Sequence, residues 1–295
     1  MEGARLHHGR RDARENAPGL ERVVQRHHRR QVILLLPAIL VMALLAIALA
    51  ALLQFSVLEF IPGSLRTGGL TTRNLDAVLS PLYLRYIWDT VVLSALTTVL
   101  TLVASYPVAY ALARSRSATM RSLLLVLTLA PFFTGAIVRT YAWMLVLGNT
   151  FIHWPVKLLF EPAGVLIGLV HFSMPTMILI LAAAISHIDR TYERAAASLG
   201  ARPWRVFWRV TLPLSMPGVV SGSLVVFAWT FSALPTPELL GGGRVKMIAN
   251  VVKDLALDAF NWPGSAAFAA VALAITFLLL AVVTRALTRA GGAAA

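Results

Sequence analysis

Few residues of this chain have the types and spacings that chemistry needs. No His-Glu-x-x-His, Gly-x-Ser-x-Gly or phosphate-loop signature is present, so metalloprotease, serine-hydrolase and nucleotide-hydrolysing chemistry has nothing to rest on. Gly241-Gly242-Gly243 lacks the Gly-Lys-Ser/Thr that would make it a phosphate loop. Cysteine is absent, which removes disulfides and thiolate metal sites. The pairs His7-His8 and His27-His28 have no further spaced ligand and make a poor metal site. Two kinds of candidate remain. One is a set of polar and aromatic residues in apolar surroundings: Asp89, Arg139, Trp143 and Trp229. The other is the basic segment 192–218, Y-E-R-A-A-A-S-L-G-A-R-P-W-R-V-F-W-R-V-T-L-P-L-S-M-P-G.

That segment predicts a surface for another protein. Ala195, Ala196, Ala197 and Gly200 follow at helical spacing, so a short helix there has almost no bulk on one face and lets another backbone come close. Gly200 predicts a left-handed residue that ends the helix. Trp204 and Trp208 stand at i and i+4 with Phe207 beside them, and Arg205 and Arg209 form a parallel basic row. This pattern predicts an interfacial helix with aromatics at headgroup level. Pro213 suits the first turn of the apolar run that follows.

The candidates within the apolar runs each carry two readings. Arg139 comes some 17 residues into its span, a depth of about 26 Å at the rise of an α-helix, near the outer interface. It either snorkels or pairs with a loop there, or it lines a solute path. Asp89 is expected in the first turn of its span, where a carboxylate favours the helix N-terminus, or else faces solute. Trp143 and Trp229 read as belt or packing aromatics, or as part of a solute cage.

The elements that must hold these residues are membrane spans. Of 295 residues, 58% are hydrophobic and 13% charged, and the mean hydropathy is +0.75, outside the range of soluble domains. Six spans are predicted at 31–53, 86–113, 123–147, 164–187, 214–234 and 265–285, each about the 20 residues that a hydrocarbon core requires. Eight Arg in 1–30, three in 114–122, five in 188–213, and Arg285 and Arg289 fall on one side of these spans. The loops opposite, 54–85, 148–163 and 235–264, together hold seven Lys and Arg. The bias predicts both termini and the 188–213 loop in the cytoplasm. It also accounts for the net charge of +13 without nucleic acid. The basic tail 1–30 is expected to be solvated and to anchor the first span at anionic lipid. A cleavable signal peptide is not expected, since the first apolar run is long and lacks a small-residue cleavage site. Gly218-x-x-x-Gly222 permits close helix crossing, either within the chain or against a partner.

The run Ala195-Ala196, Gly200, then Val210, Leu212 and Pro213 resembles the cytoplasmic loop motif of permease subunits in binding-protein-dependent ABC importers. That family usually has Glu directly before the paired small residues; here Arg194 stands there, with Glu193 one place earlier. The run Tyr106-Pro107-Val108-Ala109-Tyr110-Ala111-Leu112-Ala113-Arg114 resembles the end of the second span in these permeases. Arg139-Thr140-Tyr141-Ala142-Trp143, Thr236-Pro237-Glu238-Leu239-Leu240-Gly241-Gly242 and Met247-Ile248-Ala249-Asn250 resemble the family's spermidine/putrescine-type branch in particular. The resemblance implies an all-α polytopic protein of a bacterial inner membrane, with six transmembrane helices and a coupling helix. The resemblance runs from about Tyr83 to Arg285; the transmembrane domain would span 31–285, with a C-terminal cytoplasmic tail at 286–295. Glu193, Arg194, Ala195, Ala196, Gly200, Leu212 and Pro213 would then serve a cytosolic ATPase dimer. The other implied partners are a second permease, homologous or identical, and an external solute-binding protein. The chain itself would be non-catalytic and hold no cofactor, with ATP used by the partner. A self-contained secondary transporter would instead need intramembrane carboxylates beyond Asp89, and a membrane-embedded transferase would need a His, Asp or Glu constellation at one interface.

Overall fold

The computed structural model describes residues 17–64, 66–148 and 152–292. The Arg- and His-rich tail 1–30 and the C-terminal tail 286–295 lie outside the residues whose side chains are described. Two compact units result, one ending at Gln54 and one beginning at Phe55. The first is essentially the helix α1 (Ala17–Ser56), whose stretch Pro37–Ser56 is apolar enough to cross a membrane.

The second unit opens with an antiparallel hairpin, β1 (Leu58–Phe60) and β2 (Thr67–Leu70), and a short helix α2 (Arg73–Val78). The buried Asn74 amide closes this corner by donating to the Ser56 and Leu58 carbonyls at 3.0 and 2.7 Å. Three long helices form the centre: α3 (Pro81–Arg114), α6 (Pro162–Ser186) and α8 (Pro203–Phe231). Between them come α4 (Ala118–Leu129), α5 (Ala136–Leu147) and α7 (Arg190–Ser198). After α8 follow α9 (Pro235–Gly241), α10 (Ile248–Lys253) and α11 (Trp262–Gly292).

Among the described residues five helices are long and apolar enough to span a membrane, and a sixth span exists only if α4 and α5 count as one. This corrects the straight helix expected at 123–147, not the count of six spans. The pair is broken by a 3-10 turn at Ala130–Phe133 and bent by 101°. Pro131 has no N–H for the helical ladder, and Thr134 is extended with ψ 129°, so the path turns before Gly135 starts α5.

A second correction concerns the basic segment. The aromatic helix and the fifth span are not separate elements meeting at 213–214; they run continuously from Pro203 to Phe231. A π-helical turn at Phe207–Thr211 takes up Pro213, with the Leu212 amide donating to the Phe207 carbonyl five residues back.

Two buried clusters pack the centre. Tyr106 and Leu112 of α3 meet Met177, Leu181 and Ile185 of α6 and Val226 of α8. Leu93, Leu147, Val165, Leu169, Leu240 and Met247 form the other, which binds α5 and α9 to α3 and α6. The small-residue pair of α8 is used inside the chain. A Cβ on Gly218 would lie 2.2 Å from the Ala184 Cβ, and one on Gly222 would lie 2.7 Å from the Met177 sulfur. The α6–α8 crossing therefore needs those glycines.

Candidate functional site

At the basic end of the second unit, α7 stands out from the bundle with none of its residues buried. Its start is capped by Asp189, whose carboxylate accepts the Thr191 amide and hydroxyl, both at 2.8 Å. Those bonds, the backbone one foremost, hold the Asp189 carboxyl below its usual range. Its end is a Schellman turn: Ala201 N–H donates to the Ala196 carbonyl at 3.1 Å, and Gly200 N–H to Ala197 at 2.9 Å. Gly200 has φ +81° and open space where a Cβ would stand.

The seven residues expected to form the coupling set divide four ways. Arg194, Ala195, Gly200 and Pro213 are exposed, whereas Ala196 is half-buried. Leu212 packs against the α3–α6–α8 cluster. Glu193 turns inward, and its Oε1 meets Arg114 Nη2 at 2.9 Å and accepts the Thr211 hydroxyl at 2.9 Å. Beside α7, Trp204 and Trp208 are exposed. Phe207 turns inward to Tyr106, ring to ring at 5.3 Å.

Of the four candidates within the apolar runs, the fold sets Asp89 apart and brings the other three to α6. Asp89 lies two turns into α3 rather than in its first turn, because the helix begins at Pro81. Its nearest cation is Arg85 at 3.9 Å, and both side chains are well exposed. Arg139 serves the break between α4 and α5: its guanidinium donates to the Pro131 carbonyl and, at 3.0 Å, to the Thr134 carbonyl. The depth expected for it from a straight helix fails, because the path turns by 101° five residues or so before it. Loop pairing is what the geometry shows.

Arg139 also lies 4.8 Å over the Phe172 ring, and Trp229 stacks on that same ring at 5.3 Å. Trp143 donates to His171 Nδ1 at 3.1 Å. Thus α6 gathers three of the four candidates through His171 and Phe172. Trp229, Phe172, Ser173, Thr230, Ser232 and Thr236 help line a cavity of about 330 Å³ whose lining side chains carry no charge.

The sequence profile described as "Binding-protein-dependent transport system inner membrane component" matches residues 105–290. The chain belongs to this family. As a family member it is the membrane-embedded permease component of such a system, and it is similar to several characterised permeases. It is 34% identical over 221 residues to the spermidine/putrescine transport system permease protein PotB of Haemophilus influenzae, which covers 71% of this chain and 76% of that one. Escherichia coli PotB is 32% identical over 227 residues, 73% of this chain and 82% of that one. The molybdenum transport system permease protein ModB of Mycobacterium bovis is 35% identical over 193 residues, 64% and 72% of the two chains. Among solved structures, a chain of a bacterial ABC transporter for the acidic polysaccharide alginate superposes with TM-score 0.65 at 18% identity, over 90% of this chain and 98% of that one. At that identity the likeness concerns the fold.

Three features of this permease escaped the sequence reading. His171 and Phe172 sit in an uninterrupted apolar run and gave no pattern. Arg114 read as the end of the second span and as one loop cation among several, with no sign of its partner Glu193. The buried hydroxyls Thr90, Ser94, Thr97, Thr101 and Ser105 line one face of α3 at steps of three and four. That periodicity was available to find them.

Proposed function

We propose that this permease carries a small polyamine-type solute across a bacterial inner membrane, driven by a cytosolic ATPase that docks on α7. It works beside a second permease, a homologue or another copy, and receives solute from an external binding protein. Both termini lie in the cytoplasm. The chain is non-catalytic and binds no cofactor of its own. The observation that carries this reading is α7 itself: a helix capped at both ends, unburied, with Leu199 90% exposed at its tip. Tyr192, Ala195 and Leu199, exposed at steps of three and four, make an apolar stripe on this ordered projection, which favours a protein partner over solvent. Within this reading Trp229 and the adjacent cavity belong to the solute path, Arg139 and Trp143 hold its wall, and Asp89 meets solute at the outer edge. The likeness to the PotB proteins supports the solute class.

The test is to purify the chain with its co-encoded neighbours and measure uptake of labelled spermidine, putrescine and molybdate into vesicles. An ATPase that copurifies and ATP-dependent polyamine uptake support the reading; molybdate uptake alone overturns the solute class. Cysteines at Ser117 and Arg202 should be labelled only from the cytoplasmic side, and one at Gly242 only from outside. Outside labelling at position 202 would remove the docking argument.

A further inference from the structure

One carboxylate oxygen joins three elements at the basic end. Arg114 is the last residue of α3, and Thr211 is fully buried in the π-helical turn of α8. Both reach Glu193 Oε1, in the first turn of α7, at 2.9 Å. The pair is largely removed from water, with side-chain exposures of 10% for Arg114 and 16% for Glu193. The other guanidinium nitrogen Nη1 donates to the Ile188 carbonyl at 3.1 Å, and Arg190 returns a bond to the Ala113 carbonyl at 3.3 Å. Arg114 Nε is buried with no hydrogen-bond partner. That arginine is thus held at this junction by its bonds to Glu193 and Ile188, with a tenth of its side chain exposed.

These ties all lie in 188–193, and the remainder of α7 leads to the left-handed Gly200. A load applied at the exposed end of α7 would otherwise be absorbed by bending at its flanks. With Glu193 fixed to Arg114 and Thr211, α7 cannot move without the ends of α3 and α8. We infer that Glu193 is an internal joint and not a contact for the partner: with Arg114 and Thr211 it passes the movement of α7 to the second and fifth membrane helices. The inference rests on the reading of α7 as the ATPase-docking helix. Glu193 is a positioning residue here, acting through α7, and Arg194, Ala195 and Leu199 are left free for the partner.

The test compares hydrogen exchange in the permease–ATPase complex with and without ATP plus vanadate. In the wild-type complex, exchange should change together in 190–198, 108–114 and 207–215. In Glu193→Gln, which keeps the shape but removes the charge, the change should persist in 190–198 and be lost from the other two segments. Thr211→Val should show the loss chiefly in 207–215. The exchanged pair Arg114→Glu with Glu193→Arg should restore part of the response in 108–114, which a general loss of folding would not allow. If Glu193→Gln loses the copurifying ATPase, Glu193 is a docking contact and the inference fails. It fails equally if all three segments still respond. A wild-type chain that brings down no ATPase would overturn the docking reading itself, and this inference with it.

Discussion

The Asn250 amide donates to Glu238 Oε2 at 2.6 Å, while its own oxygen accepts the Met247 amide at 3.0 Å. Asn250 is almost wholly buried, so this single side chain both starts α10 and ties it to α9. Around it Lys253 Nζ meets Glu238 and Asp254 at 2.9 Å and Asp258 at 3.3 Å, and Lys246 meets Asp254 at 2.6 Å. Lys246, Lys253, Glu238, Asp254 and Asp258 thus pair with one another, and the Lys253–Glu238 bridge fixes α9 on α10.

Asn250→Ala should leave the Met247 amide without its partner and one Glu238 oxygen short of a donor. A buried group left unsatisfied costs about 1–3 kcal/mol. A thermal melt of the detergent-solubilised protein should show a lower midpoint, and an unchanged midpoint would mean that water replaces the amide there.

The same network sets a pH window. Burial pushes the Asp254 carboxyl up, but hydrogen bonds from Lys246 and Lys253 outweigh it and hold it below its usual value. Hydrogen bonds to Asp254 and Glu238 raise Lys253. A depressed carboxylate stabilises the fold above its unfolded pKa, about 3.9, and that contribution disappears as pH falls through the folded value. A raised lysine contributes fully below its unfolded pKa of about 10.4, and the contribution is lost as pH rises through the folded one. The midpoint difference between wild type and Asp254→Asn should hold across neutral pH and close in acid below about pH 4. A difference that grew in acid would contradict the assignment.

Arg139→Gln should act on stability before transport. It removes charged donors from the Pro131 and Thr134 carbonyls at the 101° bend, each worth about 1.5–3 kcal/mol at most and less where water reaches. The melting midpoint should fall, with uptake falling in proportion to folded protein. Lost uptake at an unaltered midpoint would instead favour a solute-lining role.

Gly218→Ala should destabilise the protein by about 1–3 kcal/mol, as overpacking does, because its Cβ would meet that of Ala184 at 2.2 Å. Ala184→Gly in the same chain should recover much of the loss. Midpoints of both single variants and the double variant decide the matter; no recovery would mean the helices separate for another reason.

Gly200→Glu tests the docking face. Its Cβ direction is open, so the internal penalty is the φ of +81°, about 1–3 kcal/mol for a side chain in that region. A buried unpaired carboxylate at a partner surface costs several kcal/mol more. The permease should insert normally, lose its ATPase on purification and lose transport. Ala196→Glu should behave alike, and Arg205→Ala should be milder. Normal copurification of Gly200→Glu would place the ATPase elsewhere.

The local periodicity of the chain determined its membrane class, the approximate positions of five long helices, and the small-residue helix that ends at Gly200. These properties depend on residues within a few turns of one another: apolar length, charge bias, a glycine at a left-handed position. Tertiary structure decided the rest. Whether Arg139 lies on a straight span depends on where the chain goes after Pro131, and local hydropathy is high on both sides of the bend. Whether Glu193 faces a partner or its own bundle depends on Arg114 and Thr211, 79 and 18 residues away. The meeting of Arg139 and Trp229 at Phe172 comes from the packing of three helices, because a ring contact between distant turns leaves no period in a sequence.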